Sequence, residues 1–410
     1  MVKSKLAGYL VLFPQWLFIA LFAFPVLPLK ATNFLFILFS VYILFYWLIN
    51  KSIGFFEKVK PNLIITLAFI PYLVEFMFNY NNSVMQNELL KKLLFFTAPI
   101  SISIYLILFK SVNVRNCFNC FAGSVIVVSI YSIAELVFRQ ILFTPSSYDN
   151  GAYLLRWNFE HISHLHPTYY SLFACIAILW IIYDFENYTA RWKYVLMASL
   201  VILVFLIMLV AAKMPLFILS VVSIWILYKK IKSKRTLISI YALMIIFGTG
   251  LIFIVPSLKN RTQEVGNYLS ATSSHENTID QRELILDCNL KVLAFNFWTG
   301  TGARNSQLAL DYCYNSHGTS IIEKDKFNSH NQFFTLAINY GIVELFLFLI
   351  TLILLIYYSK GFLFGYIFIL AAMLIMFTES ILERQMGVYF YVLFSLLIIN
   401  QRKIMGEEVK

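Results

Sequence analysis

Charge is scarce in this chain: only 13% of its 410 residues are Asp, Glu, Lys or Arg, against roughly 25% in an ordinary soluble domain. With 60% of the residues hydrophobic, that shortage excludes the water-soluble globular class and implies a polytopic membrane protein. Other signals are missing too. There is no Gly-rich phosphate loop, no low-complexity tract and no module of interleaved basic and aromatic residues, so no nucleic-acid partner is expected. The net charge of +11 is partly the cytoplasmic bias that membrane topology demands. No internal repeat is visible, which argues against a transporter built from inverted repeats. Cysteines number five, and only Cys117 and Cys120 are closely spaced. No His or Cys partner lies near them, so they read as small apolar residues and not as a metal or redox centre.

What the chain does have is repeated apolar runs, each long enough to cross about 30 Å of hydrocarbon as a helix. About twelve spans are expected, near 6–28, 33–49, 61–79, 93–109, 117–138, 167–184, 193–211, 214–229, 236–256, 332–357, 362–378 and 387–400. The fold class is therefore all-α integral membrane, with spans at 1–256 and 331–410 and one large polar loop at 257–330. The first run has a basic flank but no clear small-x-small cleavage site, and reads as a retained span. Basic residues fall on one side of an even-numbered count. They include Lys3 and Lys5, Lys51, Lys58, Lys110, Arg191, the run from Lys229 to Arg235, Lys360 and Arg402. That side is expected to be cytoplasmic, with both termini inside.

The same count puts four loops outside: Arg139 to His166, the tight turn at Lys213, the 257–330 island, and Thr378 to Gly387. Within the island, the stretch from Asp280 through Leu284, Ile285 and Val292 has an amphipathic helical pattern whose apolar face suits the top of a bundle. Gly300 and Gly302 follow it and suit a tight turn whose exposed amides hold an anion, or equally a plain turn after a helix. Cys288 and Cys313 stand about 25 residues apart in what would be an oxidising compartment; whether they pair is open. Glu379 and Glu383 are spaced to share a helix face, with Arg384 beside the second. His161, His164 and His166 fall within six residues, but no carboxylate-rich shell adjoins them and no metal is expected there.

Arg282 opening a helix, then Trp298 and Gly300-Thr301-Gly302, then His330-Asn331-Gln332-Phe333 with Gly341 beyond, resembles the signature region of the O-antigen ligase and polymerase superfamily. Upstream, His166-Pro167-Thr168-Tyr169-Tyr170 looks like the start of that family's middle span, and Thr378 to Gly387 looks like its late acidic-basic turn. The resemblance covers roughly the C-terminal 60% of the chain; the first five expected spans carry no signature. It implies a metal-independent, cofactor-free membrane glycosyltransferase of the bacterial inner membrane with its reaction on the periplasmic face. The implied donor is a glycan on undecaprenyl diphosphate. The acceptor is a sugar of lipid A-core in ligases and a second lipid-linked glycan in polymerases.

Residue chemistry agrees with that reading. A sugar hydroxyl attacking an anomeric carbon must lose its proton, and a histidine, with an ordinary pKa near 6.5, does this at neutral pH, a contribution of roughly 10²–10⁴-fold. His330 is the candidate base. An anionic lipid diphosphate leaves, and a guanidinium meets its developing charge bidentately; Arg282 is the leading ligand. Lys213 occupies the place of a second cation in the family and keeps the charge without the planar fork. His166, Arg304, Glu379 and Arg384 are further substrate-contact candidates, while Lys324 and Lys326 read equally as solvated loop charges. A rival of another class is a transporter or flippase of lipid-linked glycans, which needs a basic cavity but no titrating histidine.

The orientation has a direct test. A cysteine introduced near Ser273 should react with a membrane-impermeant maleimide in intact cells, and one near Ser233 should not. The reverse labelling pattern overturns both the orientation and the placement of the site.

Overall fold

A computed structural model describes residues 13–50, 61–109, 113–143, 153–210, 212–231, 278–317 and 327–405, with isolated positions between 233 and 250. Nearly all of the expected span at 236–256, residues 257–277, and Lys324 and Lys326 lie outside the described residues. Among the described residues every regular element is helical. Six helices are long and apolar enough to cross a membrane: Leu29–Ile49, Ser83–Phe109, Val114–Phe138, Pro167–Asn187, Ala190–Val210 and Gln332–Tyr358. Shorter apolar helices run over Phe13–Ala23, Asn62–Phe78, Leu363–Met376 and Gln385–Gln401. These are the helices of an integral membrane protein, because an apolar solvent leaves a backbone no other way to pair its polar groups locally.

Hydroxyls inside these helices follow the same rule. Ser103 donates to the Pro99 carbonyl at 2.6 Å, Ser129 to Val125 at 2.6 Å and Ser199 to Val195 at 2.9 Å. Each satisfies its proton within its own turn.

The chain divides into two compact units, one of residues 1–22, 29–117 and 278–410, the other of 23–28 and 118–277. In the second, the helix Pro167–Asp184 is buried along nearly its whole length and packs on Ala190–Val210 and Lys213–Lys230. Its polar groups are met inside the unit: Tyr170 and Ser129 share a 2.7 Å hydrogen bond, and the Trp180 indole donates to Asn119 at 2.8 Å. In the first unit, Leu94–Phe109 is packed by the 3-10 helix Asn62–Phe69, by Leu29–Asn50 and by Gln385–Met405. A buried chain of amides and a hydroxyl crosses that packing, Asn400 to Asn62 at 2.8 Å and Asn62 to Ser103 at 2.7 Å.

The first unit also carries the two helices of the polar island, Thr278–Phe295 and Ser306–Ser316. Ile285, Cys288 and Val292 turn the amphipathic face inward against Leu310, Cys313, Tyr314 and Ile338. Cys288 and Cys313 form a disulfide within that core, which closes a 25-residue interval and removes loop entropy from the unfolded chain.

Between these helices, the turn at 296–302 is seated on a break in Gln332–Tyr358. Gly341 has φ 79° and ψ −176°, outside helical geometry. The break releases backbone groups that the turn then uses: Ile342 N–H donates to the Phe297 carbonyl at 2.9 Å, Thr301 N–H to Ile338 at 2.7 Å, and Gly302 N–H to Asn339 at 2.9 Å. A Cβ at Gly341 would run into the Trp298 carbonyl, and one at Gly300 would meet the Asn339 carbonyl oxygen at 2.5 Å. The spacing of Gly300 and Gly341 thus records a place where two backbones touch.

Gly341→Ala should therefore lower the thermal midpoint of the purified protein, by roughly 5 °C, since it adds both left-handed strain and a collision. Gly123→Ala, in a helix where a Cβ meets nothing within 4 Å, should leave it unchanged. Equal midpoints for the two variants would show that the seat carries no stability.

Candidate functional site

The first unit brings Arg282, Glu379 and His330 together from three separate segments. Arg282, in the first turns of Thr278–Phe295, donates from Nη1 to the Thr378 carbonyl at 3.1 Å and places Nη2 3.8 Å from Glu379 Oε1. The other oxygen of the same carboxylate, Oε2, lies 3.5 Å from His330 Nδ1. One carboxylate thus stands between the guanidinium and the imidazole. His330 Nδ1 is closed off from solvent, although the side chain as a whole is 28% exposed. The protected nitrogen faces Glu379, so the accessible part of the ring is the edge away from it.

Local chemistry explains why His330 sits so. It adopts φ 44°, a left-handed conformation that non-glycine residues avoid. Its N–H donates to Asn328 Oδ1 at 2.9 Å. The next residue, Asn331, caps the helix that follows, its Oδ1 accepting from Phe333 N–H at 2.9 Å and Phe334 N–H at 3.1 Å. Just before it, the Ser329 carbonyl accepts from Asn289 at 3.0 Å. Ser329 Oγ contacts Thr335 Oγ1, which is itself 2.7 Å from Ser380 Oγ. Strain of this kind costs on the order of 1–3 kcal/mol and survives only where the surroundings impose it, as they do at functional sites.

The strap from Phe377 to Arg384 positions Glu379. Sequence spacing suggested one helix face for Glu379 and Glu383. The structure corrects this: Ile381–Glu383 is a short 3-10 turn, and the two carboxylates take different partners. Ser380 is held by Thr335, the Leu382 N–H donates to Gln332 Oε1 at 2.7 Å, and the Phe377 carbonyl accepts from Asn331 at 3.1 Å. Lys92, with no exposed surface, donates to the Leu382 carbonyl and pairs with Glu383 at 2.9 Å, its ammonium 5.4 Å from the centre of the Tyr72 ring. These contacts pull the strap out of helical geometry. Glu383 is thereby committed to Lys92 and Glu379 is left for Arg282 and His330.

The Gly300–Gly302 turn also differs from one reading of it. Its neighbouring amides do meet an acid, but the acid is Glu75 of this same chain, whose Oε2 accepts from Ala303 N–H at 3.1 Å. Of the turn amides, Thr301 and Gly302 are used by the seat on Ile338 and Asn339, and Gly300 N–H donates to the Asn296 carbonyl at 2.9 Å. Arg304, next along, is exposed. Arg384 is exposed where the strap enters the last helix, and its carbonyl accepts from Gly387 N–H at 3.0 Å. Lys213 is the exposed first residue of Lys213–Lys230, and His166 is the residue ahead of Pro167, its ring edge-on to Tyr169 at 5.8 Å; both belong to the second unit. The His161 ring lies against Trp157, tilted by 37° with centroids 3.8 Å apart, and His164 stands in a left-handed turn, so neighbouring positions in sequence have separate surroundings.

Beside the site, a cavity of about 220 Å³ opens between the strap and the island, lined by Glu88, Glu383, Gln307, Asn328, Ser329 and Asn339 among others. Carboxylates, amides and hydroxyls make this a surface rich in hydrogen-bond acceptors and donors. On the far side of the disulfide, Lys291 hydrogen-bonds Asp287 at 2.6 Å and holds its carboxyl below the ordinary range, with His317 3.3 Å away.

The fold and this site define an integral membrane protein with a histidine, a carboxylate and a guanidinium gathered at the ends of apolar helices. Residues 198–349 match the model of the O-Antigen ligase family. This stretch contains Lys213, Arg282, Arg304, His330 and Gly341. The match supports a ligase- or polymerase-like role in lipopolysaccharide glycan assembly. No curated protein matches the chain.

Sequence reasoning missed the contributions of the early helices, Glu75, Glu88 and Lys92. A usable signal was present: ionisable residues inside or beside apolar runs are costly unless paired, and so mark contacts. Glu344 is another, fully buried in the helix after His330, with neither carboxyl oxygen hydrogen-bonded to any described group.

Lys92→Met should destabilise the protein by on the order of 3 kcal/mol, because it leaves Glu383 without its counter-ion. Adding Glu383→Gln should recover part of that loss. A double-mutant cycle on thermal midpoints checks the coupling, and strictly additive effects would deny it.

Proposed function

We propose that this protein is an O-antigen ligase-like glycosyltransferase, which moves a glycan from undecaprenyl diphosphate to a sugar hydroxyl of lipid A-core at the periplasmic face of the inner membrane. The observation that carries the reading is the alignment of Arg282, Glu379 and His330, with one carboxylate between cation and imidazole. Glu379 Oε2 stands 3.5 Å from Nδ1, with no hydrogen bond between them; closing that gap when substrate binds would hold the proton on Nδ1 and leave Nε2 basic. Nε2 takes the proton of the acceptor hydroxyl as that oxygen bonds to the anomeric carbon. The bond from the anomeric carbon to the phosphate oxygen breaks, and undecaprenyl diphosphate departs with the electron pair. The Arg282 guanidinium stabilises the charge that gathers there.

Lys213, His166, Arg304 and Arg384 are assigned to substrate contact, on the resemblance and on their exposed or loop-end positions. The reading includes about twelve spans with the 257–330 loop outside and both termini in the cytoplasm. It routes no step through a metal or cofactor. Repeat-unit polymerisation uses the same donor and the same residues and differs only in the acceptor. A transporter of lipid-linked glycans would use the cations and leave His330 idle.

Single-turnover transfer from lipid-linked donor separates these readings. His330→Ala and His330→Gln should each lose roughly 10²–10⁴-fold in rate with donor binding little changed. Arg282→Ala should abolish transfer and Arg282→Lys restore part of it, while Lys213→Arg is tolerated. Near-normal transfer by His330→Gln rejects the base. Product with lipid A-core, with a second lipid-linked glycan, or with neither chooses ligase, polymerase or transporter.

A further inference from the structure

The turn that seats on Gly341 is apolar where it faces outward. Phe295 is 89% exposed and Trp298 72% exposed, with Phe297 between them edge-on to the indole at 5.2 Å. Three aromatic side chains in four residues, free of the protein core, are a large apolar surface to leave in water. They are not alone. Leu286 and Leu290, nine and five residues before Phe295, are also exposed on the preceding helix, on the side away from buried Ile285, Cys288 and Val292.

What lies against them is indicated by the helix they are bound to. Phe297 is hydrogen-bonded to Ile342, and the next exposed residues of that helix are Val343, Phe346, Leu349 and Ile353. These recur at three- and four-residue spacing along a helix long and apolar enough to cross a membrane. A stripe of that kind faces lipid. The aromatic turn is attached at its upper end and continues it. Aromatic residues at the end of a span, with the Phe297 carbonyl already paired to Ile342, are suited to the boundary between headgroups and acyl chains.

We propose that Phe295, Phe297 and Trp298 form a membrane foot, which rests in the interfacial layer of the bilayer and makes the polar island a peripheral membrane layer instead of a free loop. The occupant of this surface is phospholipid. The inference is independent of the transfer reaction and stands for any activity of the Arg282–His330 site.

Fluorescence of the full-length protein in lipid nanodiscs tests it. Trp298 is one of seven tryptophans, so its emission is taken as the difference between wild type and Trp298→Phe, a change that keeps an aromatic ring in place. With phospholipid brominated near the headgroup end of the chain, that difference emission should fall by roughly half, and less with bromine near the chain terminus. Iodide in the buffer should hardly quench it. Strong iodide quenching without bromine quenching would mean that the turn faces water and would overturn the foot. Quenching by neither would mean a protein cover, such as a second copy, and would overturn it equally. If Trp298→Phe fails to fold, a nitroxide on Phe295→Cys gives the same decision: greater relaxation by oxygen than by aqueous nickel supports the foot, and the reverse rejects it.

Discussion

An α-helix that ceases to be helical at one residue leaves backbone groups with nothing to bond, and in an apolar environment such groups must find partners. At Gly341 the partners come from the 296–302 turn, which accepts one hydrogen bond from the helix and donates two back to it. The exchange fixes where the polar island sits within its unit. Thr278–Phe295 leads into the turn and carries Arg282; Ser306–Ser316 leads away from it and is bridged to the first helix by the disulfide. Nine residues before Gly341, the same broken helix begins at Gln332, just beyond His330. The Arg282 and His330 side chains are thereby both referred to one backbone junction.

Charge buried among apolar helices imposes the second constraint. Lys92 has no exposed surface, and its pairing with Glu383 and the Leu382 carbonyl spends the most strongly bound end of the strap on structure. That division lets two acids four residues apart do different things. Glu383 neutralises an ammonium, whereas Glu379, held only 20% exposed, keeps its two oxygens turned towards a guanidinium and an imidazole. A regular helix through 379–383 would have directed both to one side.

Much of this was legible in the sequence, and the remainder was not for identifiable reasons. Apolar runs announce helices because bilayer thickness and backbone pairing allow little else. The amphipathic stretch after Asp280 announces a packed helix because its apolar spacing is 3.6. Arg282 and His330 stood out as polar residues at helix edges, and the structure sets them on the same carboxylate. The pairing of Cys288 with Cys313 depended on the angle between two helices, which spacing alone does not fix. Glu75 and Lys92 find their partners 228 and 291 residues away. No local pattern carries that information, and a turn with free-looking amides reads as an anion site until the chain's own carboxylate is seen in it. The bend at Ser380 was equally hidden, being set by Thr335 and Gln332 from another segment.

Those long separations acquire a temporal meaning during synthesis. At roughly 5–20 residues per second, a ribosome needs on the order of 15–60 seconds to travel from Lys92 to Glu383. Throughout that interval the inserted early helices carry an ammonium and a carboxylate whose final partners have not been made. The nascent protein is therefore marked as unfinished by its own uncompensated charges, and the mark disappears only when the last helix and the strap before it arrive.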